Sequence, residues 1–131
     1  MVNIFLVACG GALGAVLRYL LSNSITNAAI FRAQNFPYQT FIINISGSLL
    51  AGILYYFMIK NFDDFDPKLK NFLLVGVLGG YTTFSAFSLD FFRLFTANQI
   101  VLAFIYAVLS CVLAILFLFF GFYLTKIIFT L

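Results

Sequence analysis

The chain has no histidine, and only 8% of its 131 residues are charged. The first absence removes the commonest metal ligand and general base. The second excludes an ordinary water-soluble surface, which takes about three to four times that density of charge. The acidic residues are four aspartates: Asp63, Asp64, Asp66 and Asp90. No two of them sit together inside an apolar segment. Carboxylate acid–base chemistry and metal-assisted hydrolysis therefore lack their equipment, and the chain does not read as an enzyme. The two cysteines, Cys9 and Cys111, both lie in apolar segments. They read as small buried hydrophobes rather than as a disulfide framework. No lysine or arginine precedes Arg18, and no small-residue cleavage site closes the first apolar run. That run does not look like a removable signal peptide. No basic cluster follows a phosphate backbone, so nucleic acid is not an expected partner.

What is present is apolar: 64% of the residues. Such a composition belongs to an integral membrane protein, and its length suits a single unit, residues 1–131. Four segments reach the roughly 20 residues that a helix needs to cross a bilayer: about 4–21, 38–59, 72–92 and 100–125. The expected fold is all-α, with four transmembrane helices, in the cell (inner or plasma) membrane. Residues 22–37 read as a polar loop with room for a short helix, and 60–70 as an aqueous loop.

The third segment does not behave as membrane filler. Gly79-Gly80-Tyr81-Thr82-Thr83-Phe84-Ser85-Ala86-Phe87-Ser88 sets two glycines beside two β-branched threonines and carries five hydroxyls. Adjacent glycines and threonines disfavour a continuous helix. In hydrocarbon, non-helical backbone survives only when buried in protein or lining a wet cavity. We expect a break between Gly79 and Thr83 and a resumed helix at Phe84. A break frees carbonyl oxygens at the end of the first half, and these can hold a cation. Phe84 and Phe87 are three apart and share a face, presenting electropositive ring edges. The alternative is a glycine kink for close packing, with two core phenylalanines.

Other polar residues also have two readings. Asn44, in the second span, either bonds a neighbouring helix or donates to an anion. Arg18 either snorkels to the interface or attracts anions at a vestibule mouth. Tyr106 and Ser110, four apart on the fourth span, share a face. Either the serine bonds its own backbone and the tyrosine sits near an interface, or the two join the third span's hydroxyls in a polar strip. Asp90 and Arg93, three apart, are placed to pair. Gly10-x-x-x-Gly14, Gly47-x-x-x-Ala51 and Ser48-x-x-x-Gly52 allow close helix approach.

Four spans put the N-terminus, the 60–70 loop and the C-terminus on one side. That side carries Lys60, Lys68, Lys70 and Lys126; the other carries Arg18, Arg32 and Arg93. A difference of one orients a chain weakly, so insertion either way up is expected. Transport folds often use inverted repeats, and this chain is too short to contain both halves. Two copies in opposite senses supply the inversion. The expected assembly is an antiparallel, dual-topology homodimer with its two-fold axis in the membrane plane.

Over essentially its whole length the chain resembles the Fluc (CrcB) family of fluoride channels. The matching pieces are Gly10-Gly11-x-x-Gly14-Ala15-x-x-Arg18-Tyr19, Asn44-x-x-Gly47-Ser48, the 79–88 stretch, and Tyr106-x-x-x-Ser110. The resemblance implies passive, selective export of cytoplasmic fluoride through a dual-topology dimer with two pores. It implies a structural sodium ion at the dimer centre, held by the backbone carbonyls of Gly79 and Thr82 from both copies. It implies that Phe84 and Phe87 line the fluoride path, that Asn44 donates to the anion, and that Arg18 sits at a vestibule. Ser85, Tyr106 and Ser110 would belong to the polar route. The chain departs from the family at Ala86, where threonine is usual, and at Asp90, where glutamate is usual. A competing reading is a small dual-topology proton-coupled exporter. It needs a titratable carboxylate deep in a span, and the first, second and fourth spans have none.

Overall fold

In a computed structural model, residues 1–28, 35–60 and 66–130 are described, Thr130 by its backbone alone. Arg32, Asp63 and Asp64 lie outside the described residues. Four helical spans are long and apolar enough to cross a membrane. The first helix is Val2–Asn27 and the second Tyr38–Lys60. The third span covers Pro67–Thr96 in two halves, and the fourth helix is Ile100–Thr130.

The helices run further than hydropathy alone suggests. Residues 22–27, expected as loop, complete the first helix. There Ser24 and Thr26 return their hydroxyls to the carbonyls of Leu20 and Ser22, at 2.9 Å each. Polar side chains thus satisfied do not stop a helix that already has its nucleus. In the 60–70 segment, Lys60 closes the second helix and Pro67–Lys70 forms a helical turn. Asp66 caps that turn by accepting from the Lys68 amide at 2.8 Å, with proline in the first turn.

Glycines set how closely the spans approach. A β-carbon on Gly10 would lie 2.5 Å from the Phe72 carbonyl oxygen, and one on Gly76 would lie 2.9 Å from the Gly10 α-carbon. Gly14 faces the Val77 carbonyl and the Tyr81 amide, and Gly80 faces the Gly11 carbonyl. The first helix and the first half of the third span therefore touch backbone to backbone. Gly52 and Gly121 do the same for the second and fourth helices, against Leu118 and Leu49 respectively. Lipid gives no hydrophobic drive for helix association, so this close van der Waals fit is what holds such spans together.

The third span changes winding before it breaks. After Pro67–Lys70 it is π-helical over Asn71–Leu78, then makes a short α-turn, Gly79–Tyr81. Thr82 and Thr83 are extended (φ −81°, ψ 159° and φ −152°, ψ 124°), and the second half is Phe84–Thr96. The break and the resumption at Phe84 agree with the sequence; the wide winding ahead of them carries no sequence signal. The fourth helix follows a tight turn in which Asn98 takes a left-handed φ of 60°. It packs on the second half through a small core of Leu94, Ala103 and Tyr106, flanked by Phe36, Phe41, Phe87, Phe91 and Leu102.

Candidate functional site

The break is built by diverting amides away from the helix ladder. In an unbroken helix the Thr83 amide would close onto the Gly79 carbonyl. Here it donates to Asn44 Oδ1 at 2.9 Å. Asn44 Nδ2 returns the favour, donating to the Thr83 carbonyl at 3.0 Å. The Ala86 amide would likewise close onto the Thr82 carbonyl, but it donates to Thr83 Oγ1 at 3.2 Å. That bond caps the second half. The break releases the carbonyls of Gly79, Gly80, Tyr81 and Thr82 from helical duty, and the bonds above account for the amides lost by Gly79 and Thr82. Thr82 Oγ1 bonds back to the Leu78 carbonyl at 2.9 Å, which keeps the hydroxyl off the break.

The second helix braces this segment. Tyr81 is buried and its hydroxyl lies 2.8 Å from Ser46 Oγ, which itself donates to the Ile43 carbonyl at 3.0 Å. Gly47 leaves room for Thr82 Cγ2 and the Tyr81 ring. Asn44 therefore fulfils its interhelical reading, and one of its two N–H groups is left over. Asn44, Ser48, Thr82, Thr83 and Phe84 line a depression of about 230 Å³. Ser48, which the sequence marked for close packing and as part of the Asn44-x-x-Gly47-Ser48 piece, shares a helix face with Asn44 at four-residue spacing. Unlike most hydroxyls of the bundle, it forms no hydrogen bond among the described residues. Its four-residue offset from an intramembrane asparagine was the available signal.

From this depression an aromatic file leads along the second half. The Phe84 and Phe87 centroids are 5.3 Å apart, Phe87 and Tyr106 are 5.2 Å apart, and Tyr106 meets Phe36 edge-on at 5.5 Å. Phe84 is 77% exposed, whereas Tyr106 is fully buried. Ser85 Oγ lies 3.2 Å from Thr83 Oγ1, beside the start of the file. Ser110 Oγ is buried with no hydrogen-bond partner, and Tyr106 OH is buried beside the Thr40 hydroxyl without a well-aligned hydrogen bond. Ser110 does not bond its own backbone, so the local reading fails for the serine. Arg18, half-buried, stands four residues after Gly14 and so on the helix face that meets Val77 and Tyr81. Asp90 and Arg93 pair at 3.3 Å, and Thr40 donates to Asp90 at 2.6 Å.

The structure brings Asn44, Gly79, Thr82, Phe84 and Ser85 together at the break and Phe87 and Tyr106 along the file beyond it, and it buries Ser110 one helical turn from Tyr106. Among the described residues no cluster of carboxylate, thiolate or imidazole groups is placed to hold a metal. The oxygens on offer at the break are carbonyls, hard neutral donors of the kind that suit an alkali or alkaline-earth cation.

Fold and site together define a small multi-pass membrane protein whose third span is interrupted by a braced, carbonyl-exposing break. Residues 5–122 match the family described as CrcB-like protein, Camphor Resistance (CrcB). The chain belongs to that family. It is 45% identical over 116 residues to a protein of Flavobacterium psychrophilum named fluoride-specific ion channel FluC, covering 88% of this chain and 90% of that one. A Rhizobium meliloti protein of the same name is 43% identical, over 92% of this chain and 94% of its own. The Nitrobacter hamburgensis protein named fluoride-specific ion channel FluC 2 is 44% identical, over 91% and 93%.

Proposed function

We propose that this protein is a fluoride-selective passive ion channel that lets cytoplasmic fluoride leave the cell and so lowers its toxicity. The carrying observation is the phenylalanine file that runs from the break to Tyr106, whose buried hydroxyl lies beside Thr40 without a well-aligned hydrogen bond, with the buried, unbonded Ser110 hydroxyl one turn along the same helix. A buried hydroxyl without a partner costs about 1–3 kcal/mol. A permeating anion that has shed its water supplies the missing acceptor. Fluoride is small and strongly hydrated, so a narrow dry path must replace its water with donors. The spare Asn44 N–H, the Ser85, Tyr106 and Ser110 hydroxyls and the rims of Phe84 and Phe87 are of that kind. Arg18 raises the local concentration of anions at the mouth. Under a negative-inside potential the efflux is downhill by about 2.3 kcal/mol per 100 mV.

The working unit in this reading is an antiparallel, dual-topology homodimer. Its support is the near-even split of lysine and arginine between the two sides and the exposed surface around Gly79 and Phe84. A sodium ion at the dimer centre would be held by the Gly79 and Thr82 carbonyls of both copies. The donor set fits, since both oxygens have lost their helical amides. When bound, the ion supplies fixed positive charge that favours anions over cations. The proton-coupled exporter is less well supported: both oxygens of Asp90 are already engaged by Thr40 and Arg93.

The deciding experiment is fluoride release from liposomes containing only this protein, with chloride as control. Fluoride should leave far faster than chloride, and Phe84→Ile and Phe87→Ile should each abolish most of the flux. Equal release of both halides, or release that requires a pH gradient, would refute a fluoride channel.

A further inference from the structure

Asp90 sits where an anion path should not tolerate a bare carboxylate. It follows Phe84 by six residues, about 9 Å of helical rise, and follows Phe87 by three, on the same face. An anion moving along the Phe84–Phe87–Tyr106 file therefore approaches a negative group. That group is held from two sides. Thr40, buried at the start of the second helix, donates to Oδ2 at 2.6 Å, and Arg93 reaches Oδ1 at 3.3 Å. Phe36, just ahead of the second helix, meets Tyr106 at 5.5 Å, and Thr40 in the first turn of that helix lies beside the Tyr106 hydroxyl, so the acid's brace stands at the end of the file. The Asp90 side chain is 19% exposed and that of Arg93 66%. The acid is largely buried while its counter-charge is mostly exposed.

We infer that Arg93 is a charge-compensating residue of the fluoride path, cancelling the Asp90 carboxylate that Thr40 holds beside the end of the aromatic file. This rests on the channel reading above. Without Arg93, a fixed negative charge in a poorly hydrated setting opposes each arriving fluoride. Arg93 touches no permeating ion itself; it acts through Asp90.

The test is a double-mutant cycle on fluoride release from liposomes. Arg93→Gln should slow release about fivefold, the size of a partly exposed charge pair. Arg93→Lys, which keeps the charge, should restore most of the rate. In an Asp90→Asn background the Arg93→Gln change should slow nothing further, because there is no charge left to cancel. Size-exclusion profiles of all variants report folding alongside. Equal slowing by Arg93→Gln in both backgrounds would assign Arg93 a structural role and overturn the inference. So would an Arg93→Gln rate equal to wild type in vesicles where wild type releases fluoride selectively. Wild-type protein that releases no fluoride overturns the channel reading, and this inference with it.

Discussion

Asn44 and Thr83 exchange two hydrogen bonds across the second and third spans, amide to Oδ1 at 2.9 Å and Nδ2 to carbonyl at 3.0 Å. A side-chain amide thus stands in for the backbone partner that the break removed. Asn44→Asp keeps an acceptor for the Thr83 amide but replaces the donor to the Thr83 carbonyl with a second acceptor oxygen. We expect a loss of about 2–3 kcal/mol, read as a lower unfolding midpoint in detergent, together with loss of fluoride flux. Unaltered stability would mean that the two bonds do not hold the break.

Glycine substitutions on the first helix should split sharply between neighbours. A β-carbon on Gly14 meets backbone of the third span, the Tyr81 amide nitrogen at 2.8 Å among others, whereas one on Gly11 meets nothing within 4 Å. Backbone cannot swing aside as a side chain can. Gly14→Ala should cost about 1–3 kcal/mol, and Gly11→Ala should be near neutral. Folded yield and thermal midpoint of the two purified variants check this.

Tyr81→Phe removes the 2.8 Å contact with Ser46 and leaves the ring's packing against Gly47. Ser46 keeps its bond to the Ile43 carbonyl. The expected cost is about 1 kcal/mol. If Tyr81 positions the carbonyls ahead of the break, the apparent sodium requirement should rise as well. A thermal shift titration with sodium measures both.

Sodium itself should stabilise the folded protein by mass action. Exchange into a large organic cation should lower the melting temperature, and returning sodium to about 100 times its dissociation constant should recover roughly 2.7 kcal/mol. Magnesium, which demands octahedral geometry and sheds water reluctantly, should not substitute. A melting temperature indifferent to sodium would remove the proposed ion.

Topology is tested by tags. Single accessible cysteines placed at either terminus, in a background lacking Cys9 and Cys111, should be labelled from both faces of intact cells in near-equal amounts. Labelling from one face alone would rule out the antiparallel pair.

Local chemistry made part of this molecule legible from the sequence. Apolar length determined the spans, because a bilayer leaves no other place for runs such as residues 100–125. The break at Thr82 and Thr83 was readable because glycine and β-branched residues act on their own backbone. The Asp90–Arg93 pair and the Phe84–Phe87 face followed from helical spacing alone. What the sequence could not decide was where each diverted amide goes. That Asn44 clasps Thr83, that Ser48 stands unbonded beside it, and that Tyr106 and Ser110 are buried all depend on contacts between distant segments. The π-helical winding of Asn71–Leu78 is of the same kind. It lies where Gly10 and Gly76 press two backbones together, and it has no signature in the residues that adopt it. Periodicity and propensity act along the chain, whereas hydrogen-bond satisfaction in a dry interior is settled only once all four spans are assembled.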